Sequence, residues 1–199
     1  MKPFPLVRLL IVASALVLPQ SPAIGQQALV IKSLAEKKVT QLPAGPLFWR
    51  LENFPTLGEA KAAAGPTSLA AESRGKVWLF TLGPPGGASA GGTKVAEIGP
   101  VPGMIATPYL LRVNEASGPP GSITTVHSHP GSETFYVLAG ETSSHTPQGV
   151  KRIRAGEGAT GHAADTPMQV SSSGSADLQS LVMFVVDASK PFSSPASFP

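Results

Sequence analysis

Cysteine is absent from the 199 residues. That excludes disulfides, a thiolate nucleophile and any metal site built on sulfur anions. Charge is scarce too, at 14% of the chain, and the formal balance is +3. Two of those three positive charges, Lys2 and Arg8, stand in the first eight residues, so the remainder carries +1. The only dense basic cluster is "VKRIR" (Val150 to Arg154), whose alternation suggests the solvent face of a strand. So neutral a chain is a poor match for a phosphate backbone, and no nucleic-acid partner is expected.

Long apolar runs are missing except for one, "LLIVASALVL" (Leu9 to Leu18). It is too short to cross a bilayer comfortably. It follows Lys2 and Arg8 and precedes Ala23 and Gly25, the small-residue positions read by a signal peptidase. Residues 1–25 are therefore expected to be a signal peptide cleaved before Gln26. This predicts an exported protein, periplasmic or secreted, with no membrane attachment after cleavage. The remaining chain of about 174 residues suits one domain with its own core.

What is abundant is punctuation. The 21 glycines and 21 prolines are too many for a helical bundle, and they cluster between apolar runs as turns do in an all-β protein. Ala28–Pro43 is ambiguous and read as a short strand. "GPLFWRLENFP" (Gly45 to Pro55), "GKVWLFTLGPPGG" (Gly75 to Gly87), "TKVAEIGPVP" and "TPYLLRVNEASGPPGS" read as further strands. "TLGEAKAAAGP" is the one helix: Thr56 caps it, Glu59 completes a capping box, and Gly65-Pro66 stop it. It is short, and is expected to lie against a sheet. The loop "GPPGGASAGGTK" looks the most flexible. "DLQSLVMFVVDASKP" (Asp177 to Pro191) is a late strand whose "LVMFVV" should be covered on both faces. "FSSPASFP" reads as a loose tail.

Only four histidines occur, and two of them fall in "HSHPGSETFYVLAGE", residues 127 to 141. On a strand, side chains alternate, so His127 and His129 point the same way, roughly 7 Å apart. "PGS" (Pro130 to Ser132) supplies turn chemistry, and Glu133 then opens the next strand opposite the histidines. Two imidazoles and one carboxylate can thus converge on one point, leaving positions open for water or a substrate. Phe135 and Val137 share the face of Glu133 and are candidate pocket residues; Tyr136 belongs to the other face.

The stretch from Gly121 through His127, His129 and Glu133 to Gly140 resembles the first signature motif of the cupin superfamily at every marked position. The resemblance implies an all-β fold, a cupin-type jelly-roll β-barrel. Its core is then expected at 116–190, after an N-terminal extension at 26–115 carrying extra strands and the helix, and before a tail at 191–199. The family's second motif is similar to "AGEGATGHAADTPMQV" (Ala155 to Val170). Gly156-Glu157 matches its Gly-acid turn, but Ala163 and Asp165 replace a Pro and a Gly. With one inserted residue, Met168 falls where the family's further histidine ligand should be. Met168 can pack in the barrel or offer a thioether to a softer metal. His162 could fill the gap if its loop folds inward; His145 looks like a rim histidine, and Gln169 should face away.

The resemblance implies a divalent transition metal held by His127, His129 and Glu133 in a small-molecule pocket. Fe, Mn, Ni, Zn and Cu all suit two imidazoles and a carboxylate. If the protein is an enzyme, a metal-dependent oxygenase or isomerase acting on a small organic molecule fits best. The alternative is a non-catalytic binding or sensing barrel without a metal, which the missing histidine favours. No Ser-His-Asp arrangement or phosphate loop offers other chemistry, and a homodimer is compatible with the family's habit of pairing through exposed strands.

Overall fold

The computed structural model describes residues 27–199; the signal-peptide reading lies outside them. Fourteen strands and one short helix follow one another along the described chain. The first part comprises β1 (Val30–Val39), β2 (Phe48–Phe54), α1 (Leu57–Ala63), β3 (Ser68–Ser73), β4 (Lys76–Gly83) and β5 (Thr93–Ile98). Then come β6 (Tyr109–Gly118), β7 (His127–Ser128), β8 (Gly131–Ala139), β9 (Glu141–Thr146) and β10 (Gly149–Arg154). The chain ends with β11 (Gly158–Thr160), β12 (Gln169–Ser172), β13 (Leu178–Asp187) and β14 (Ser194–Pro195).

These strands make a barrel and an added sheet. One barrel wall is five-stranded, in the order β1-β6-β13-β8-β11. The other is three-stranded, β10-β9-β12, and β14 pairs with β7 at one end. From β8 to β13 the chain passes repeatedly from one wall to the other, which is the winding of a jelly roll. Its interior is filled by Phe135, Val137, Ile153, Val170, Leu178, Val182, Phe184 and Val186. The added sheet, β3-β4-β2-β5, lies on the outer face of the five-stranded wall. Trp49, Leu51, Trp78 and Phe80 meet Leu111, Val113, Leu181, Met183 and Val185 there.

β13 shows why its sequence reads as continuously apolar. Leu181, Met183 and Val185 face the added sheet, while Val182, Phe184 and Val186 face the barrel interior. Both sides of the strand are covered, so alternation carries no polar partner. Helix α1 begins as expected, with the Thr56 hydroxyl accepting from Glu59 N–H at 3.2 Å and Glu59 Oε2 accepting from Thr56 N–H at 3.1 Å. Its Ala60 is buried against Phe54 and Leu79 of the added sheet.

Three expectations change. The division at residue 115 falls inside β6, and β1 is the edge strand of the barrel wall, so β1 and β6 belong to the barrel and only β2–β5 with α1 form the addition. The loop after β4 is tied down rather than loose: Ser89 donates N–H and O–H to buried Glu52, each at 2.7 Å, and Gly86 N–H donates to Glu97. The C-terminal segment is not a loose tail. It pairs with β7, Ser194 opposite Ser128 and Pro195 opposite His127.

Candidate metal centre and pocket

The chain reaches the site through Gly121 and leaves it through Gly140, and both take left-handed backbone at φ +84° and +72°. At Gly140 space is short as well, since a Cβ would stand 2.7 Å from the Asp177 carbonyl oxygen. Between these turns β7 carries His127, and strand geometry ends at Ser128, so His129 lies just beyond it. His127 is fixed by its backbone, which exchanges hydrogen bonds of 2.9 and 2.8 Å with Met168. The carbonyl of His129 accepts from Asp165 N–H at 2.8 Å. The two imidazoles meet edge to face, centroids 5.0 Å apart.

Each imidazole is oriented by a backbone carbonyl. His127 Nδ1 lies 2.8 Å from the Thr125 oxygen, and His129 Nδ1 lies 2.7 Å from the Phe192 oxygen. A carbonyl can only accept, so Nδ1–H donates in both rings and each Nε2 keeps its lone pair. This is the outer hydrogen bond that commonly fixes metal-binding histidines. The rings of Phe184 and Phe192 stand 4.9 and 4.7 Å from His129, which is only 4% exposed. That burial holds the His129 pKa down at about 4, helped by the charges of His127 and Arg112 and opposed by the Phe192 carbonyl.

Glu133 faces inward from β8, in register with Phe184 of β13. It is 3% exposed, and Oε1 has no hydrogen-bond partner. Burial without a counter-charge pushes its pKa up to about 8. At neutral pH the free side chain therefore holds a proton. Gly161 abuts it: its N–H donates to the Glu133 carbonyl at 2.8 Å, and a Cβ there would lie 2.8 Å from Glu133 Cγ.

His127, His129 and Glu133 line one cavity of about 280 Å³. Its remaining wall combines Phe135, Phe184, Phe192, Val170, Val182, Ala116 and Ile31 with Asn114, Thr124, Thr125 and Ser193. Phe135 is thus on the wall, as expected from its parity with Glu133. Val137 is not; it lies in the interior core beyond the cavity. Met168 is 2% exposed and sits across from His127, yet it does not line the cavity. Its backbone anchors His127 while its side chain packs. His145 is exposed beneath the Phe198 ring, His162 is half-buried with Nε2 unpartnered, and Gln169 donates to the Thr124 carbonyl. None of these three lines the cavity.

The pair of facing walls, with paired histidines on a short strand and the glutamate on the next, gives the motif its expected place. The barrel is a jelly roll, the fold that the motif's resemblance implies. No protein-family model matches the chain, and no curated protein matches it. Similar solved structures include a cupin-like protein from Thermotoga maritima, at 15% identity and TM-score 0.39 over 44% of this chain and 65% of that one. Another is a Klebsiella pneumoniae protein with a double-stranded β-helix domain, at 24% identity and TM-score 0.37 over 44% and 75%. The polyketide cyclase RemF from Streptomyces resistomycificus is similar at 18% identity and TM-score 0.37 over 45% and 62%. The chain spans less than half, 44%, of a further match from a study of DMSP lyases. Each of these likenesses covers less than half of this chain and is one of fold.

The donor set suits a divalent ion in kind: two Nε2 lone pairs and a carboxylate oxygen that is buried without a partner. In spacing it is incomplete. Among the described residues, no three His, Cys, Asp or Glu side chains stand close enough together to hold an ion. Sequence reasoning did not find Asn114, Phe184, Phe192 or Ser193. Phe184 was hidden because both faces of β13 are apolar, and Phe192 because it stands in a Pro/Ser-rich segment without strand periodicity.

Proposed function

We propose that the protein binds a small organic molecule in the barrel cavity, and that His127, His129 and Glu133 hold a divalent transition metal in its wall. The observation that carries this reading is the unpartnered, buried Oε1 of Glu133 in the same cavity as two histidines whose Nδ1 atoms are already engaged. Such an atom is costly to bury unless something pairs with it. A metal bound there would supply a Lewis acid that polarises an oxygen of the bound molecule. The chain's own part is to present Nε2 of each imidazole, give up the Glu133 proton, and exclude water with Phe135, Phe184 and Phe192. Iron, manganese, nickel, zinc and copper all fit these donors, and oxygenase or isomerase chemistry suits the open positions. We also propose export, on the strength of Lys2, Arg8 and the run Leu9 to Leu18.

Metal analysis of untagged protein tests the centre. About one ion per chain in the wild type, lost in His127→Ala and kept in His145→Ala, is the expected result. A second reading, a barrel that binds its ligand without metal, draws on the protonated state of Glu133 and the spacing of the three groups. Metal-free wild type that stays folded and takes up no added ion would end the first reading and support the second.

A further inference from the structure

One side of the cavity is supplied by the C-terminal segment. Phe192 and Ser193 line it, and the neighbours Pro191, Ser194 and Pro195 are exposed, so this wall separates the cavity from solvent. Its backbone is attached by a two-residue pairing with β7, by Ala196 N–H donating to the Val126 carbonyl at 3.1 Å, and by the Phe192 carbonyl on His129. Phe192 packs edge to face on Phe184 with ring centroids 4.9 Å apart, and Phe198 anchors the far end on His145.

Charge is distributed in a way that selects the ligand. Among the described residues, no lysine or arginine lines the cavity. Arg112 lies with its guanidinium 4.4 Å from the centre of the Phe192 ring. Its Nε donates to Asn114 Oδ1 at 2.9 Å, and Nη1 pairs with Glu36 at 3.5 Å. Phe192 thus covers the Arg112 guanidinium. The volume, about 280 Å³, lies just below the range of drug-sized ligand pockets, roughly 300 to 1,000 Å³.

We propose that Phe192, carried on the C-terminal segment, is the specificity-determining wall of the pocket, selecting, in the metal-free barrel, uncharged, mainly apolar molecules of single-ring size over anions. This rests on the small-molecule reading of the cavity and not on the metal. Benzyl alcohol and benzoate are matched probes, and saturation-transfer NMR on chelator-treated protein reads their binding. Wild type should bind benzyl alcohol about tenfold or more tightly than benzoate. Phe192→Trp should lose the alcohol by a similar factor. Phe192→Ala should uncover Arg112 and raise benzoate affinity, and adding Arg112→Gln should cancel that gain. Far-UV circular dichroism verifies that each variant is folded, and the Trp and Ala variants check one another.

Benzoate binding as well as benzyl alcohol, or a Phe192→Trp variant that binds like wild type, overturns the proposal while leaving a ligand cavity in place. Binding of neither probe at millimolar concentration ends the proposal and the cavity reading together. Failure of the metal reading alone appears as intact probe binding in a protein that takes up no ion.

Discussion

Glu133 and His129 titrate in opposite directions for the same reason, burial in an apolar pocket. In the metal-free folded chain Glu133 holds its proton up to about pH 8, against an ordinary value of 4.5. Between those values the folded state binds more protons than the unfolded one, so stability falls as pH rises and levels off above about 8. Glu133→Gln removes that slope. In chelator its melting temperature should exceed that of wild type at pH 8, with the gap closing toward pH 5. At about 2–4 °C per kcal/mol for a chain of this size, several degrees are expected. A gap that does not change with pH would show that Glu133 is not buried as a neutral acid. The His-x-His pair and the acid were readable because parity and a turn place them together. The spacing among them was not, because it depends on rotamers and on Phe192, 63 residues from His129.

Elements were readable where a local rule decides them. The capping box marks α1, and the β8–β9 turn needs Gly140 both for its φ of +72° and for the 2.7 Å approach to the Asp177 carbonyl. Gly140→Ala should therefore cost about 2 kcal/mol or more, as strained backbone and displaced main chain combine. Denaturant unfolding measures it; a loss below about 0.5 kcal/mol, the scale of a neutral surface change, would mean the turn relaxes freely. β14 obeys no such rule. Two residues of strand in a Pro/Ser-rich stretch are made by their partner, β7, and no pattern within the segment announces them.

On the scale of the whole molecule, the apolar strands foretold a barrel but not its limits. Ala28–Pro43 is mixed in composition because β1 is an edge strand with Val30 and Ile31 exposed, and its membership of the barrel comes from pairing with β6. The added sheet shares a core with the outer face of β6 and β13, so the two parts are thermodynamically one. A fragment starting at Ala116 loses β1, most of β6 and the cover over Leu181, Met183 and Val185. It should show no cooperative thermal transition; a cooperatively melting fragment would make residues before 116 dispensable. The most direct test of the metal centre is anomalous diffraction from crystals soaked in a divalent transition metal. One peak inside the barrel, within bonding distance of His127 Nε2, His129 Nε2 and the Glu133 carboxylate, is the predicted result. A cavity without a peak, in crystals whose soaked metal binds only at surface histidines such as His145, would contradict it.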